Sequence, residues 1–125
     1  MKITIIGNMS FLEKLKEAKE ILEQRGNEVI VPEKDPMPEP IPPSVKRKAM
    51  EKFNENLKQS DAILVMNYTK DGKENYIGAN TLMEIGMAFI LNKKIFVLNP
   101  FPEFCKDELE AIEVQLLNGD LNKIQ

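Results

Sequence analysis

Short β-branched runs alternate along this chain with longer stretches whose apolar residues recur every three or four positions. Lys2–Ile6 (Lys-Ile-Thr-Ile-Ile) ends at Gly7 and reads as a buried strand. After Gly7-Asn8-Met9-Ser10, the residues Leu12, Leu15, Ala18, Ile21 and Leu22 fall on one stripe with lysines and glutamates between them. That spacing predicts an amphipathic helix, stopped by Gly26. Glu28–Val31 is a second short strand, which completes a βαβ unit with an expected right-handed crossover. Pro32 to Pro43 holds six of the eight prolines, so it is neither a helix nor a central strand. An extended surface connector or lid is expected there, with polyproline-type partner binding as the alternative. Ser44 is expected to cap the next helix, with Val45, Ala49, Met50, Phe53 and Leu57 on its inner face and Ser60-Asp61 at its end. Ala62–Met66 is the most continuous apolar run and predicts a central strand.

The second half continues the alternation. Asn67 to Glu74 is polar, with a turn at Asp71-Gly72. A helix is expected from Leu82 to about Leu91, and it is apolar on most faces. One sheet face does not require so much apolar surface, so a subunit interface is expected there. Ile95–Leu98 predicts a fourth strand closed by Asn99-Pro100, followed by a loop over Phe101–Lys106. Asp107-x-x-Glu110 is expected to start a last helix with Leu109, Ile112 and Leu116 inward. Asn118-Gly119-Asp120 turns the chain, and Leu121–Ile124 is expected as a short edge strand. The pattern predicts one α/β domain over residues 1–125. Its sheet is doubly wound and parallel (Rossmann- or flavodoxin-like), with four to five strands and helices on both faces. Ligands on such sheets bind beyond the carboxyl ends of the strands. The loops Gly7–Ser10, Pro32–Pro43, Asn67–Asn80 and Asn99–Lys106 leave those ends.

Composition then narrows the chemistry. The 125 residues carry a net charge of -3 with both signs interspersed, so no basic field exists to hold a nucleic-acid polymer. No apolar run is long enough to cross a bilayer, and the N-terminus has no signal-peptide pattern, so a cytoplasmic location without membrane contact is expected. There is no histidine, which removes serine–histidine triads, imidazole acid–base chemistry and histidine metal ligands. The single Cys105 permits no internal disulfide and has no histidine to activate it. Chemistry is left to carboxylates, hydroxyls, amides, lysine and arginine. No metal or cofactor is expected. G-x-x-x-x-G-K-[ST], G-x-G-x-x-G and G-x-S-x-G are all absent. Lys46, Arg47 and Lys48 form a small basic cluster, read as a solvated helix face with a phosphate contact as the alternative.

The stretch from Asn75 to Ala88 (Asn-Tyr-Ile-Gly-Ala-Asn-Thr-Leu-Met-Glu-Ile-Gly-Met-Ala) concentrates what remains. It reads as a glycine-bearing turn opening into a helix. A helix start suits anionic ligands. Thr81-x-x-Glu84 is also the spacing of a capping box, which only secures a helix end. Both readings hold if Asn80 caps the helix and leaves Glu84 free on its first turn.

Gly7-Asn8-Met9-Ser10, Ser60-Asp61-Ala62-Ile63-Leu64-Val65 and above all Met83-Glu84-Ile85-Gly86-Met87-Ala88 with Lys93-Lys94-Ile95 resemble the nucleoside 2-deoxyribosyltransferase-like superfamily. This superfamily includes deoxynucleoside monophosphate N-glycosidases. The resemblance implies a five-stranded parallel sheet, a homodimer or larger homo-oligomer, and a nucleoside or nucleotide as the small-molecule partner. It also implies Glu84 as the nucleophile that attacks the anomeric carbon, ionised because it stands near a helix start. Gly7, Asn8 and Ser10 are then candidates to hold a sugar hydroxyl or a 5'-phosphate. Tyr76 is a candidate to stack on the base, and Asn67, Gly78, Asn80 and Thr81 to contact sugar or base. Family transferases carry an aspartate six residues before the glutamate, where this chain has Gly78. Asp71, Glu74 and Asp61 are the candidate substitutes, Asp61 being read as a buried cap. Gly-x-Asn-Thr-x-x-Glu also resembles part of the loop of lysine-decarboxylase-like phosphoribohydrolases. Two functions stay open: an N-glycosidase or deoxyribosyltransferase, and a non-catalytic nucleotide-binding or sensing protein on the same scaffold.

Overall fold

The computed structural model describes residues 1–32 and 40–125. Much of the connector or lid expected over Pro32–Pro43 falls in residues 33–39, outside the described residues. Five strands form one parallel sheet: β1 (Lys2–Ile6), β2 (Glu28–Ile30), β3 (Ala62–Val65), β4 (Lys94–Val97) and β5 (Gln115–Leu116). Their order is β2-β1-β3-β4-β5. The register pairs Ile3 with both Val29 and Ala62, and Ala62 with Lys94. The doubly wound α/β class expected from the alternation is the observed one.

The helices are α1 (Leu12–Gln24), α2 (Pro43–Gln59), α3 (Ala79–Ile90) and α4 (Lys106–Ala111). Helix α1 covers one sheet face, where Leu15, Ala18 and Leu22 pack on Ile3, Ile5 and Leu64. Helices α2, α3 and α4 cover the other through Phe53, Leu57, Ile85, Ala88 and Leu109, against Ile63, Val65, Ile95 and Val97. Strands β1 and β3 are covered on both faces. Their near-continuous apolar runs follow from that double burial.

The winding reverses between β1 and β3, and the chain is tight there. A Cβ added to Gly7 would lie 2.8 Å from the Met66 carbonyl oxygen, a backbone atom of the neighbouring strand end. Gly7→Ala is therefore expected to destabilise the fold by about 1–3 kcal/mol, read as a lower urea midpoint with unchanged m.

Several local expectations are corrected. Ser44 does not cap α2: Pro42 is the N-cap and Pro43 the first helical residue, because a proline there loses only an N–H that would lack a helical partner anyway. Ala49 and Ile21 are exposed, while Phe53, Leu57 and Leu22 are buried. The last helix ends at Ala111, and Leu116 belongs to β5. Leu121–Lys123 is a 3-10 turn and not an edge strand, since Asp120 accepts a hydrogen bond from the Asn122 N–H and starts that turn.

Candidate functional site

The candidate residues lie on the chain segments that follow the carboxyl ends of β1 and β3. Gly7, Asn8 and Ser10 follow β1, Asn67 follows β3, and Tyr76, Gly78, Asn80, Thr81 and Glu84 lie on the connection into α3 and on that helix. Behind β1, Asn8 caps a 3-10 turn over Met9–Phe11. Its Oδ1 accepts from the Ser10 N–H at 2.9 Å and from the Ser10 hydroxyl at 2.7 Å. Asn8 and Ser10 thus order each other, and Ser10 remains exposed.

The loop behind β3 is a small hairpin. It turns at Asp71 and Gly72, both with positive φ, and pairs Lys70 with Lys73. The Tyr76 N–H donates to the Tyr68 carbonyl at 2.8 Å. Tyr68 meets Phe11 edge-on, with ring centroids 5.6 Å apart, which ties this hairpin to the loop behind β1. The Lys14 and Lys70 ammonium groups stand 5.5 Å and 5.1 Å from the Tyr68 and Tyr76 ring centres. Burial, then the nearby Glu17 carboxylate, pushes the Tyr68 phenol above its usual value. Tyr76 lies across Gly78: a Cβ there would come within 3.1 Å of the tyrosine oxygen.

Asn67 departs from its expected part. It is fully buried, and its amide donates to the Asn99 carbonyl at 3.0 Å and the Pro100 carbonyl at 3.2 Å. Its oxygen accepts from the Asn99 N–H at 2.9 Å, and the Asn99 amide returns a bond to the Asn67 carbonyl at 3.1 Å. This clasp joins the ends of β3 and β4. It leaves the Asn67 side chain no free edge for a sugar. The sequence reading missed Asn99 and Tyr68. Asn99-Pro100 signalled only the close of a strand, because a reciprocal pair 32 residues apart leaves no local pattern.

Helix α3 begins earlier than expected. Gly78 is its N-cap and makes no side-chain cap, and the Leu82 N–H closes the first helical bond on the Gly78 carbonyl at 3.0 Å. Asn80 is therefore an exposed residue inside the first turn, and Thr81 is buried there. The capping box does not form, and Glu84 sits on the second turn. Among the described residues no donor or cation engages the Glu84 carboxylate. Burial raises its pKa from 4.5 to about 7, so at neutral pH it is near half-protonated, contrary to the expectation of a fully ionised group. The helix dipole acts mainly within the first turn, so at this depth loss of hydration dominates.

The candidate partner carboxylates divide by position. Asp61 is exposed at the opposite, amino edge of the sheet, where it accepts from the Lys2 N–H at 2.8 Å, so it is neither a buried cap nor near Glu84. Asp71 and Glu74 are exposed on the β3 hairpin. Among the described residues no cluster of acidic or cysteine side chains could hold a metal, and no helix is long and apolar enough to cross a membrane. Among the described residues, concavities of about 660 and 230 Å³ open on the surface. The larger lies between α2 and α3 and the smaller between the ends of α3, β4 and β5. Glu84 lines neither.

The chain is similar in fold to solved structures, with its five parallel strands in the order β2-β1-β3-β4-β5. One similar solved structure is a 2-deoxyribosyltransferase from Bacillus psychrosaccharolyticus, with TM-score 0.61 and 20% identity over 86% of this chain and 81% of that one. Another is the Clostridium botulinum CMP N-glycosidase BcmB, with TM-score 0.58 and 17% identity over 93% and 85%. No protein-family model and no curated protein matches the sequence.

Proposed function

We propose that this protein is an N-glycosidase or deoxyribosyltransferase acting on nucleosides or nucleoside monophosphates, that Glu84 is its nucleophile, and that it works as a homo-oligomer. The observation that carries the reading is the Glu84 carboxylate, half-buried and without a partner among the described residues, on the helix that leaves the sheet's carboxyl edge. The fold shared with a deoxyribosyltransferase and a CMP N-glycosidase supports the substrate class.

In the proposed reaction a Glu84 oxygen attacks the anomeric carbon as the bond to the base nitrogen breaks, and the bonding pair leaves with the base. Water or a second base then takes the sugar from the carboxylate, which is restored. Ser10 contacts the sugar or its 5'-phosphate, and Tyr76 stacks on the base. Asn80 and Thr81 approach the substrate from the helix start. The Asn67–Asn99 clasp holds the two strand ends in register beneath them.

Only the ionised carboxylate attacks. The rate constant for base release at low substrate is therefore expected to rise with pH through about 7, the value that burial gives Glu84. A pH series of initial rates checks this limb, and an inflection near an ordinary carboxylate value contradicts it.

The test of the reading is a panel of nucleosides and their monophosphates, with free base measured by chromatography. Base release that disappears in Glu84→Ala supports it. Binding without release, unaffected by Glu84→Gln, is the result for a nucleotide sensor and overturns it.

A further inference from the structure

Tyr76 lies on the connection between β3 and α3, yet it is held from three sides. Its N–H donates to the Tyr68 carbonyl at 2.8 Å. Its hydroxyl end lies on Gly78, where an added Cβ would come within 3.1 Å of the phenol oxygen and 3.4 Å of the ring. Gly78 has φ -80 and ψ 170, a backbone any residue adopts, so the ring and not the turn accounts for the glycine. The Lys70 ammonium stands over the ring, 5.1 Å from its centre. Two backbone hydrogen bonds with Lys73, of 3.0 and 2.9 Å, fix the hairpin that carries Lys70. Among the described residues no carboxylate pairs with this ammonium. Lys70 and Tyr76 are both half-buried.

A cation over an aromatic ring is attracted by the electron density of its face. With one face of Tyr76 under an ammonium, the other is left for a base. A base stacked there at van der Waals spacing lies about 9 Å from the Lys70 nitrogen, across the ring. An uncharged base meets no penalty at that distance. A base with a formal positive charge is repelled by the ammonium, and it competes with Lys70 for the same ring density. The other charges of the hairpin, Asp71, Lys73 and Glu74, are exposed and screened by water. Lys14, over Tyr68 at 5.5 Å, is offset by Glu17 beside the same ring. Lys70 is thus the half-buried charge that bears on Tyr76.

We propose that Lys70 is a specificity-determining residue of the candidate site: seated on Tyr76, it admits nucleosides and nucleotides with an uncharged base and disfavours those whose base carries a positive charge. The proposal rests on the placement of the base on Tyr76 in the reading above, and it names the class of base that this reading leaves open. It gives Lys70 no part in bond breaking.

Calorimetric titration at low ionic strength tests it. The Glu84→Gln chain is the background, because it does not turn over and lacks the carboxylate's own attraction for a cation. The ligands are deoxyadenosine and deoxycytidine 5'-monophosphates and their 1-methyl and 3-methyl forms, whose bases are positively charged at neutral pH. The quantity read is the affinity of each neutral ligand relative to its methylated partner. The bulk of the methyl group is common to all chains and cancels in the comparison. At about 9 Å, even in water, one unit charge changes the affinity of another roughly twofold. Lys70→Gln is therefore expected to move the ratio about twofold toward the charged base, and Lys70→Glu about fivefold. Lys58→Glu makes the same change of net charge on the last turn of α2, at the opposite edge of the sheet, and is expected to leave the ratio unchanged. No shift in Lys70→Glu, or an equal shift in Lys58→Glu, overturns the proposal. Base release by the wild-type chain is measured separately, and its persistence in that case leaves the reaction standing. A chain that binds none of these ligands and releases no base overturns both.

Discussion

Replacing Glu84 by glutamine is expected to lower base release by at least about a thousandfold, or roughly 4 kcal/mol of barrier, and to stabilise the folded chain above neutral pH. Both effects come from the same burial. An amide of the same shape cannot attack the anomeric carbon, so the covalent route closes. Burial lifts the Glu84 pKa from 4.5 to about 7, which means the folded chain holds its proton more tightly than the unfolded one. Below about pH 4.5 both states are protonated and the group favours neither. Between there and about pH 7 the unfolded chain ionises first, and folding stability falls as pH rises. Above that window the cost is complete, at about 2–3 kcal/mol once residual solvation is allowed for. Glutamine carries no such cost. Melting curves of the two proteins are expected to coincide in acid and to separate by roughly 10 °C in mild alkali, with the glutamine form higher. If wild type and variant melt alike at every pH, Glu84 is hydrated and the burial argument fails. A carboxylate held at the expense of stability is what a functional group would show, whereas one kept for a structural role would lose stability on replacement.

The second large effect is expected at Asn67. Asn67→Ala removes three hydrogen bonds to the β4 end and leaves the Asn99 N–H without its partner in a fully buried place. A loss of about 2–4 kcal/mol is expected, with a melting temperature roughly 10 °C lower. Asn67→Asp sets carboxylate oxygens against the Asn99 and Pro100 carbonyls and is expected to be at least as damaging. Both strand ends belong to the candidate site, so base release should fall beyond what unfolding explains when assayed well below the melting temperature. If Asn67→Ala folds with unchanged stability, the clasp does not hold the strand ends.

The places where sequence reasoning went astray share one feature. Asn80 and Ser44 have good capping side chains, yet α3 starts from Gly78 and α2 from Pro42. Capping preference is a weak local bias, and the first helical bond forms where the backbone arrives from the preceding loop. Asn67 read as a polar loop residue because an amide after a strand is commonly solvated. Its partner lies one strand over, beyond any local window. Asp61 passed as a substitute acid because sequence distance hides which edge of the sheet a residue occupies.

Periodicity is a local property. The five residues of Lys2–Ile6 and the stripe Leu12, Leu15, Ala18, Leu22 therefore announced strand and helix by themselves, and alternation of the two dictated a parallel sheet. The same logic put Glu84 on the helix that follows β3, though on its first turn and not on the observed second. Burial and pairing are not local. They arise only when distant segments meet, so the protonation of Glu84, the Asn67–Asn99 clasp and the crowding of Gly7 against Met66 were decided by the tertiary structure.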